Sequence, residues 1–143
     1  MGIVTMGGGW GVLCADEVER SGLELARFDP SLLERLDGHL PPYWSRANPV
    51  DLVATIKEGV AEAVVEAIIA SEQVDVLVVS AVVSVFGLAA GVLAEARRLH
   101  ENGAVDLAQV EMTGPEVFAR RREGIVKHLA HLMETYGKPI ISV

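Results

Sequence analysis

Four closely spaced glycines are the residues in this sequence whose type and spacing best suit chemistry. Gly7, Gly8, Gly9 and Gly11 follow an apolar segment and precede a helical pattern. Glycines at such a junction let backbone N–H groups approach a ligand, and the helix N-terminus adds partial positive charge. The pattern predicts contact with a phosphate or a carboxylate. A second interpretation stays open, in which a tight turn needs small residues only for packing.

The two best-known phosphate-binding patterns are not matched. With Gly7 and Gly9 as the first two glycines of G-x-G-x-x-G, the third position falls on Val12, and no Lys-Ser/Thr pair follows as in a P-loop. Asp29 ends a second apolar segment about 20 residues further on, where a dinucleotide-binding domain has its acidic residue. A nucleotide-binding, Rossmann-like domain is therefore an alternative.

The other reactive side chains have ordinary interpretations. His128 and His131 have no third ligand in register, so no metal site is predicted. Cys14 is interpreted as a small buried residue. The three arginines at 120–122 are either a solvated helix face or a contact for an acidic partner. No catalytic residue is predicted within this chain.

A second helix N-terminus is predicted near Ala54 and Thr55. Residues 55–58 have the form of a capping box, in which the threonine hydroxyl accepts from a backbone N–H and the glutamate reaches back. Val60 and Val64 then begin an apolar face at helical spacing. Such an N-terminus could also point at a phosphate.

The elements that would position these residues alternate between strand and helix. Strands are predicted at residues 2–6, 23–28, 74–83 and 139–143, and helices at residues 12–20, 31–36, 55–70, 88–100 and from a second capping box at 113–116 onwards. This alternation predicts a doubly wound α/β domain with a mostly parallel sheet. Its sites would lie at the carboxyl ends of the strands, which are the glycines, Asp29 and residues 84–87. Residues 48–51 are predicted to be an irregular connector.

Composition and charge exclude several classes of protein. The chain has 143 residues, 50% of them hydrophobic, and a net charge of −8, so we expect one folded domain that does not bind nucleic acid. A single cysteine indicates a reducing compartment, and we expect a cytoplasmic protein. Residues 76–93 carry no charge, but their first half is β-branched, which favours a buried strand followed by a helix over a membrane span. The apolar ends suggest a domain cut from a longer protein.

Three segments together resemble one known family. They are residues 2–13 (GIVTMGGGWGVL), residues 40–42 (LPP) followed by 48–52 (NPVDL), and residues 137–140 (GKPI). The sequence looks like the flavodoxin-like CoA-ligase domain of the NDP-forming acyl-CoA synthetases, the superfamily of ADP-forming acetyl-CoA synthetase and succinyl-CoA synthetase. The resemblance covers nearly the whole chain, and the glycines combined with NPVDL are its most specific part.

The resemblance implies a flavodoxin-like fold and a reversible reaction in which acyl-CoA, phosphate and ADP give acid, CoA and ATP. The reaction passes through a phosphorylated histidine that a neighbouring domain carries. This domain would help to enclose that histidine, with a helix N-terminus aimed at the phosphoryl group. Carried over by position, the residues that face the phosphate are Gly7, Gly8, Gly9, Gly11, Asn48, Asp51, Ala54 and Thr55.

The resemblance also implies partners, which are the CoA-binding and ATP-grasp domains or subunits of the same enzyme. CoA, ADP or ATP, and Mg would act in the complete enzyme, none of them bound by this domain alone. The sequence departs from the family at Trp10, where a small residue or proline is usual, and after Leu52, where no glycine follows. A homo-oligomer stays open, as does a non-catalytic interaction module that uses Trp10 and residues 120–122.

Overall fold

The computed structural model describes residues 1–53, 57–104 and 115–143. Its elements in chain order are β1 (Gly2–Thr5), α1 (Gly8–Arg20), α2 (Pro30–Asp37), β2 (Val50–Asp51), α3 (Val60–Ile69), β3 (Leu77–Ser80), α4 (Val82–Glu101), α5 (Pro115–Tyr136) and β4 (Ile140–Ser142).

The strands among the described residues form a parallel four-stranded sheet in the order β2-β1-β3-β4. Val4 lies opposite both Val50 and Val79, which fixes the register of the three strands on that side. Strand order reverses between β1 and β3, so the crevice outside their carboxyl ends is the topological switch point. The predicted doubly wound α/β fold of the flavodoxin type is confirmed.

The helices cover the two faces of the sheet unequally. On one face, α3 buries Val64, Val65 and Ile68 against the sheet, and α5 adds Ile125 and other inward residues. The opposite face carries a smaller cluster of Ile3, Val18 and Val78, in which α1 is the one helix among the described residues. The larger cluster dominates the core because hydrophobic stabilisation grows with the apolar area removed from water.

The strand predicted at residues 23–28 is wrong, because this segment forms no regular ladder. Met1 and this segment exchange two hydrogen bonds, from Ala26 N to Met1 O and from the Met1 amino group to Glu24 O, and the side chain of Asn48 bonds the neighbouring backbone groups. Its Oδ1 accepts from Ile3 N at 3.0 Å, and its Nδ2 donates to the carbonyl oxygens of Met1 and Ala26 at 2.9 and 3.0 Å. The sheet is extended on this side by β2 instead, within the segment predicted to be an irregular connector.

Two helices begin at different residues from those predicted. α4 begins at Val82 rather than at 88, directly after β3, because Ala81 turns the chain in the left-handed region with φ of 61°. Residues 84–87 are therefore helical. α3 begins at Val60, after Gly59 with φ of 80°, rather than near Thr55. Residues 54–56 and the first two residues of the second capping box (113–114) lie outside the described residues.

The uncharged run at residues 76–93 divides between β3 and α4, as the strand-then-helix interpretation predicts. Within the described ranges, the helices are too short or too polar to cross a membrane.

Candidate functional site

The N-terminus of α1 lies at the carboxyl end of β1 and is built from three glycines. Gly7 is the N-cap, with an extended backbone (φ of −166°, ψ of 138°), and has no side chain with which to cap the helix. The hydroxyl of the buried Thr5 donates to Gly7 O at 3.0 Å and accepts from Gly7 N at 3.3 Å. The strand-to-helix turn is therefore fixed by a side chain that lies beneath it.

Two backbone donors of this turn have no acceptor within the described part of the chain. Trp10 N and Gly11 N donate to Gly7 O at 3.1 and 3.4 Å, but the N–H groups of Gly8 and Gly9 meet no acceptor among the described residues. A Cβ built on Gly9 would meet nothing within 4 Å, so the space around this residue is open. Free N–H groups at the positive end of a helix dipole are an arrangement that attracts anions.

Gly11 has a different role from its neighbours. A Cβ at this position would stand 3.1 Å from both Pro49 Cβ and Thr5 Cγ2, which is tighter than ordinary packing. Glycine at this position lets α1 pack closely against β1 and the start of β2. The packing interpretation of the glycine cluster therefore holds for Gly11, whereas Gly8 and Gly9 fit the anion interpretation.

Asp51 is the predicted site residue that lies beside α1. Its Oδ2 is 3.3 Å from the place that a Cβ on Gly8 would occupy, and its Oδ1 accepts from Val53 N at 2.8 Å. Val53 has φ of 52°, a conformation that costs a β-branched residue about 1–3 kcal/mol. The Asp51 carboxylate thus holds a strained turn at the end of β2 and closes one side of the α1 N-terminus.

The crevice at the switch point opens next to these glycines. It has a volume of about 360 Å³ and is lined by Met6, Gly7 and Trp10 from the β1–α1 side and by Ala81 and Leu88 from the β3–α4 side. The Trp10 side chain stands at its edge and is 59% exposed, so the indole is not packed into the turn. Crevices of this kind in open α/β sheets are where ligands bind.

Asn48 and Asp29 do not join this group. The Asn48 side-chain amide makes three hydrogen bonds to backbone groups around the start of β1. Asp29 caps α2 through Leu32 N at 2.8 Å and accepts from Gln73 Nε2 at 2.6 Å, ahead of β3. The prediction that Asp29 lies at the carboxyl edge is therefore wrong. The bond from Leu32 N, with help from Ser31 and Gln73, lowers the pKa of Asp29 below its usual 3.8.

The helix predicted to begin near Thr55 begins at Val60, after residues 57–59, which are not helical. The positions of Ala54 and Thr55 fall outside the described residues, so α1 is the helix whose N-terminus lies among the described candidate residues.

The remaining side chains of interest lie elsewhere. Arg121 stacks over Phe86, with its guanidinium carbon 5.4 Å from the ring centroid, and Arg122 lies against Gly87. These contacts place two of the three arginines at 120–122 in the packing of α5 on α4. Within the described ranges, no three His, Cys, Asp or Glu side chains are grouped to hold a metal ion.

Ala81 and Val53 are site residues that the sequence did not reveal. Each adopts a left-handed backbone at the carboxyl end of a strand, and neither is a glycine or an asparagine. The residue types that usually signal this conformation are absent, so no sequence pattern could have identified them.

The fold and the site define a class, the flavodoxin-like α/β domains with an uncapped helix N-terminus at the switch point. The sequence model of the Ligase-CoA domain family matches residues 1–98, and the chain belongs to this family. It is 32% identical over 138 residues to the alpha subunit of the ADP-forming acetate–CoA ligase II of Pyrococcus furiosus. That alignment covers 96% of this chain and 29% of the ligase subunit, so the chain spans about three-tenths of its relative.

Solved structures show the same fold. A crystal structure from Pyrococcus horikoshii OT3 aligns over 99% of this chain and 31% of that one, with a TM-score of 0.57 and 24% identity. The dinucleotide-forming acetyl-coenzyme A synthetase 1 of Candidatus Korarchaeum cryptofilum, in complex with phosphate and ADP, aligns over 90% of this chain and 34% of that one. Its TM-score is 0.52 and its identity 23%.

Proposed function

We propose that this chain is the Ligase-CoA domain of a cytoplasmic, ADP-forming acyl-CoA synthetase, and that the start of α1 contacts the phosphoryl group of a histidine carried by another domain. The complete enzyme would convert acyl-CoA, phosphate and ADP into acid, CoA and ATP. The CoA-binding and ATP-grasp domains or subunits would hold CoA and the nucleotide with Mg. Family membership supports the reaction class, and the free N–H groups of Gly8 and Gly9 carry the proposal for the site.

The physical basis is electrostatic. A phosphoryl group in transfer carries charge on its oxygens, and fixed backbone donors stabilise that charge without reorganising. The N–H groups of Gly8 and Gly9 lie in the first turn of α1 and meet no acceptor within the described part of the chain. Asp51 repels an anion from its own side, which leaves the crevice beside Trp10 as the direction of approach. The strain at Val53 and Ala81 supports a site at this edge, since strained backbone clusters at functional positions.

Two substitutions at Gly8 separate the loss of its N–H group from the addition of a side chain. Gly8→Pro deletes the N–H group but suits the first position of a helix, and the extended Gly7 before it suits a residue that precedes proline. Loss of one such donor lowers the rate of the chemical step by about 100-fold or more. We expect phosphoenzyme formation from labelled ATP, measured in the complete synthetase that contains this chain, to fall by about this factor.

Gly8→Ala is the matched control, because it places the same Cβ beside Asp51 Oδ2 and keeps the N–H group. We expect Gly8→Ala to stay within about threefold of the natural enzyme. Equal rates for the proline and alanine variants, with both proteins folded, would show that this N–H group does not act on the phosphoryl group.

A further inference from the structure

A groove of about 660 Å³ lies beside the amino-terminal end of β1, at the opposite end of the sheet from the crevice. It is lined by the segment at residues 23–28, by Glu19 of α1, and by Arg46 and Ala47 ahead of β2. The groove and the crevice share no lining residue. The groove is therefore a separate feature of the molecule.

The segment that lines the groove presents an open strand edge to it. Met1 N donates to Glu24 O at 2.5 Å, and Ala26 N donates to Met1 O at 2.8 Å, which is the hydrogen-bond pattern of two parallel strands. Alternate residues of an extended chain direct their backbone groups to opposite sides, so those of Leu25 and Arg27 point away from Met1. Across the described part of the chain, the N–H and C=O groups of these two residues make no hydrogen bond.

Unpaired backbone groups at this spacing indicate that the occupant of the groove is another extended backbone. An open strand edge is a template on which a peptide adds as a further strand, about 4.8 Å away. Main-chain hydrogen bonds then supply the affinity, and side chains supply the selectivity. Arg46 and Ala47 form a second wall, so the groove admits a single strand more readily than the edge of a second sheet with its covering helices.

The charged side chains of the groove indicate which peptide it selects. Glu19, Glu24 and Arg27 have no ion-pair partner in the described ranges, whereas Arg46 pairs with Asp37. The unpaired side chains leave one net negative charge in the groove, and the chain as a whole carries −8. A cationic side chain on the peptide would therefore gain a carboxylate partner, whereas an anionic one would be repelled.

We propose that this groove binds an extended, positively charged peptide segment, whose backbone pairs with the N–H and C=O groups of Leu25 and Arg27. The groove lies at the other end of the sheet from Gly8 and Gly9, so this site is independent of the proposed phosphoryl contact. Either can fail without the other.

Hydrogen exchange of single amides, measured by NMR on the 143-residue chain, tests the pairing. The probe is acetylated, amidated Lys-Val-Lys-Val-Lys. We expect this lysine peptide to slow exchange at Leu25 and Arg27 and to leave Ala26 unchanged, because Ala26 N is already bonded to Met1 O. The same peptide with methylated backbone nitrogens at its three central residues cannot donate and should not bind. A peptide with glutamate in place of lysine should bind at least about threefold more weakly.

Two pairs of variants separate the backbone contact from the charge. Arg27→Pro removes an N–H group at the open edge, and Arg27→Ala is the matched control, which lacks the same guanidinium but keeps the N–H group. We expect the proline variant to bind the lysine peptide about fivefold more weakly than the alanine variant. Glu24→Gln should weaken binding about twofold, whereas Glu134→Gln, at an exposed position on α5, should change nothing. The glutamate pair tests the site even if Arg27→Pro fails to fold.

Each of several results would overturn the proposal. They are exchange at Leu25 and Arg27 that the lysine peptide does not slow, equal binding of the methylated peptide, equal affinities of Arg27→Pro and Arg27→Ala, and a glutamate peptide that binds as tightly as the lysine peptide. Protection of both amides in the free chain, through a dimer that covers the groove, would also contradict it.

Discussion

At the scale of single residues, the glycine cluster divides into donors and a packing contact. Gly8 and Gly9 present N–H groups that meet no acceptor in residues 1–53, 57–104 and 115–143, whereas Gly11 lies where a side chain would press on Pro49 and Thr5. The sequence presents these glycines as one motif. Substitution by alanine at each position tests the packing role, because alanine keeps the N–H group and adds only a methyl group to glycine.

Gly9→Ala and Gly11→Ala are expected to change stability in opposite directions. Alanine at Gly9 meets open space in a helix and should stabilise the fold by about 0.5–1 kcal/mol. Alanine at Gly11 must displace Pro49 or the buried Thr5, and we expect a net loss of about 1 kcal/mol or more. Urea denaturation of both variants measures the difference. Stabilisation by Gly11→Ala would contradict the close packing of α1.

Asp29 makes part of the stability depend on pH. Because its pKa in the folded chain is below the usual 3.8, its contribution is complete above that pH and is lost as the pH falls towards the folded value. Asp29→Asn keeps a capping side chain without the titration. We expect the stability advantage of the natural chain over Asp29→Asn, measured by denaturation from about pH 6 to pH 3, to shrink with acidification. An advantage that grows in acid would contradict the capping role.

At the scale of elements, sequence patterns predict the helices and strands that nearby residues determine. They do not predict those that depend on contacts with residues far away in the chain. Ile125 and Leu129, four residues apart on α5, have the spacing of one helix face, and both are buried. The segment at 23–28 has the composition of a strand, but its backbone bonds stop at Met1. The Asn48 side chain, 20 or more residues away, bonds Ile3 N and Ala26 O, which a longer ladder would use. The start of α4 at Val82 is not predictable from residue types, because Ala81 adopts a conformation that alanine does not favour.

Lys138 stabilises an element far from it in sequence. Its Nζ donates to Ile69 O at 3.1 Å and to Ser71 O at 2.7 Å, which satisfies carbonyl groups at the C-terminus of α3. Lys138→Met would leave these carbonyls without this donor, and we expect a loss of about 1–3 kcal/mol in urea denaturation. Lys57→Met, at an exposed lysine, is the control. Equal effects of the two changes would rule out a specific role for Lys138.

At the scale of the whole molecule, the switch point of the sheet determines where the site lies. The sequence predicts an α/β sheet and therefore a site at the carboxyl ends of its strands, and the glycines after β1 lie at that edge. Which residues join them depends on strand order and on side-chain partners. Asp51 lies at the carboxyl edge because β2 pairs with β1. Asn48 does not, because its side chain bonds the backbone at the start of β1.

We propose that the backbone nitrogens of Gly8 and Gly9 donate to the phosphoryl group, and their distance to a phosphoryl oxygen tests this directly. The measurement is a crystal structure of the complete, phosphorylated synthetase that contains this chain. We expect a phosphoryl oxygen about 2.7–3.1 Å from the nitrogen of Gly8 or Gly9. A phosphohistidine held by other groups, with both nitrogens turned to solvent or to Asp51, would contradict it.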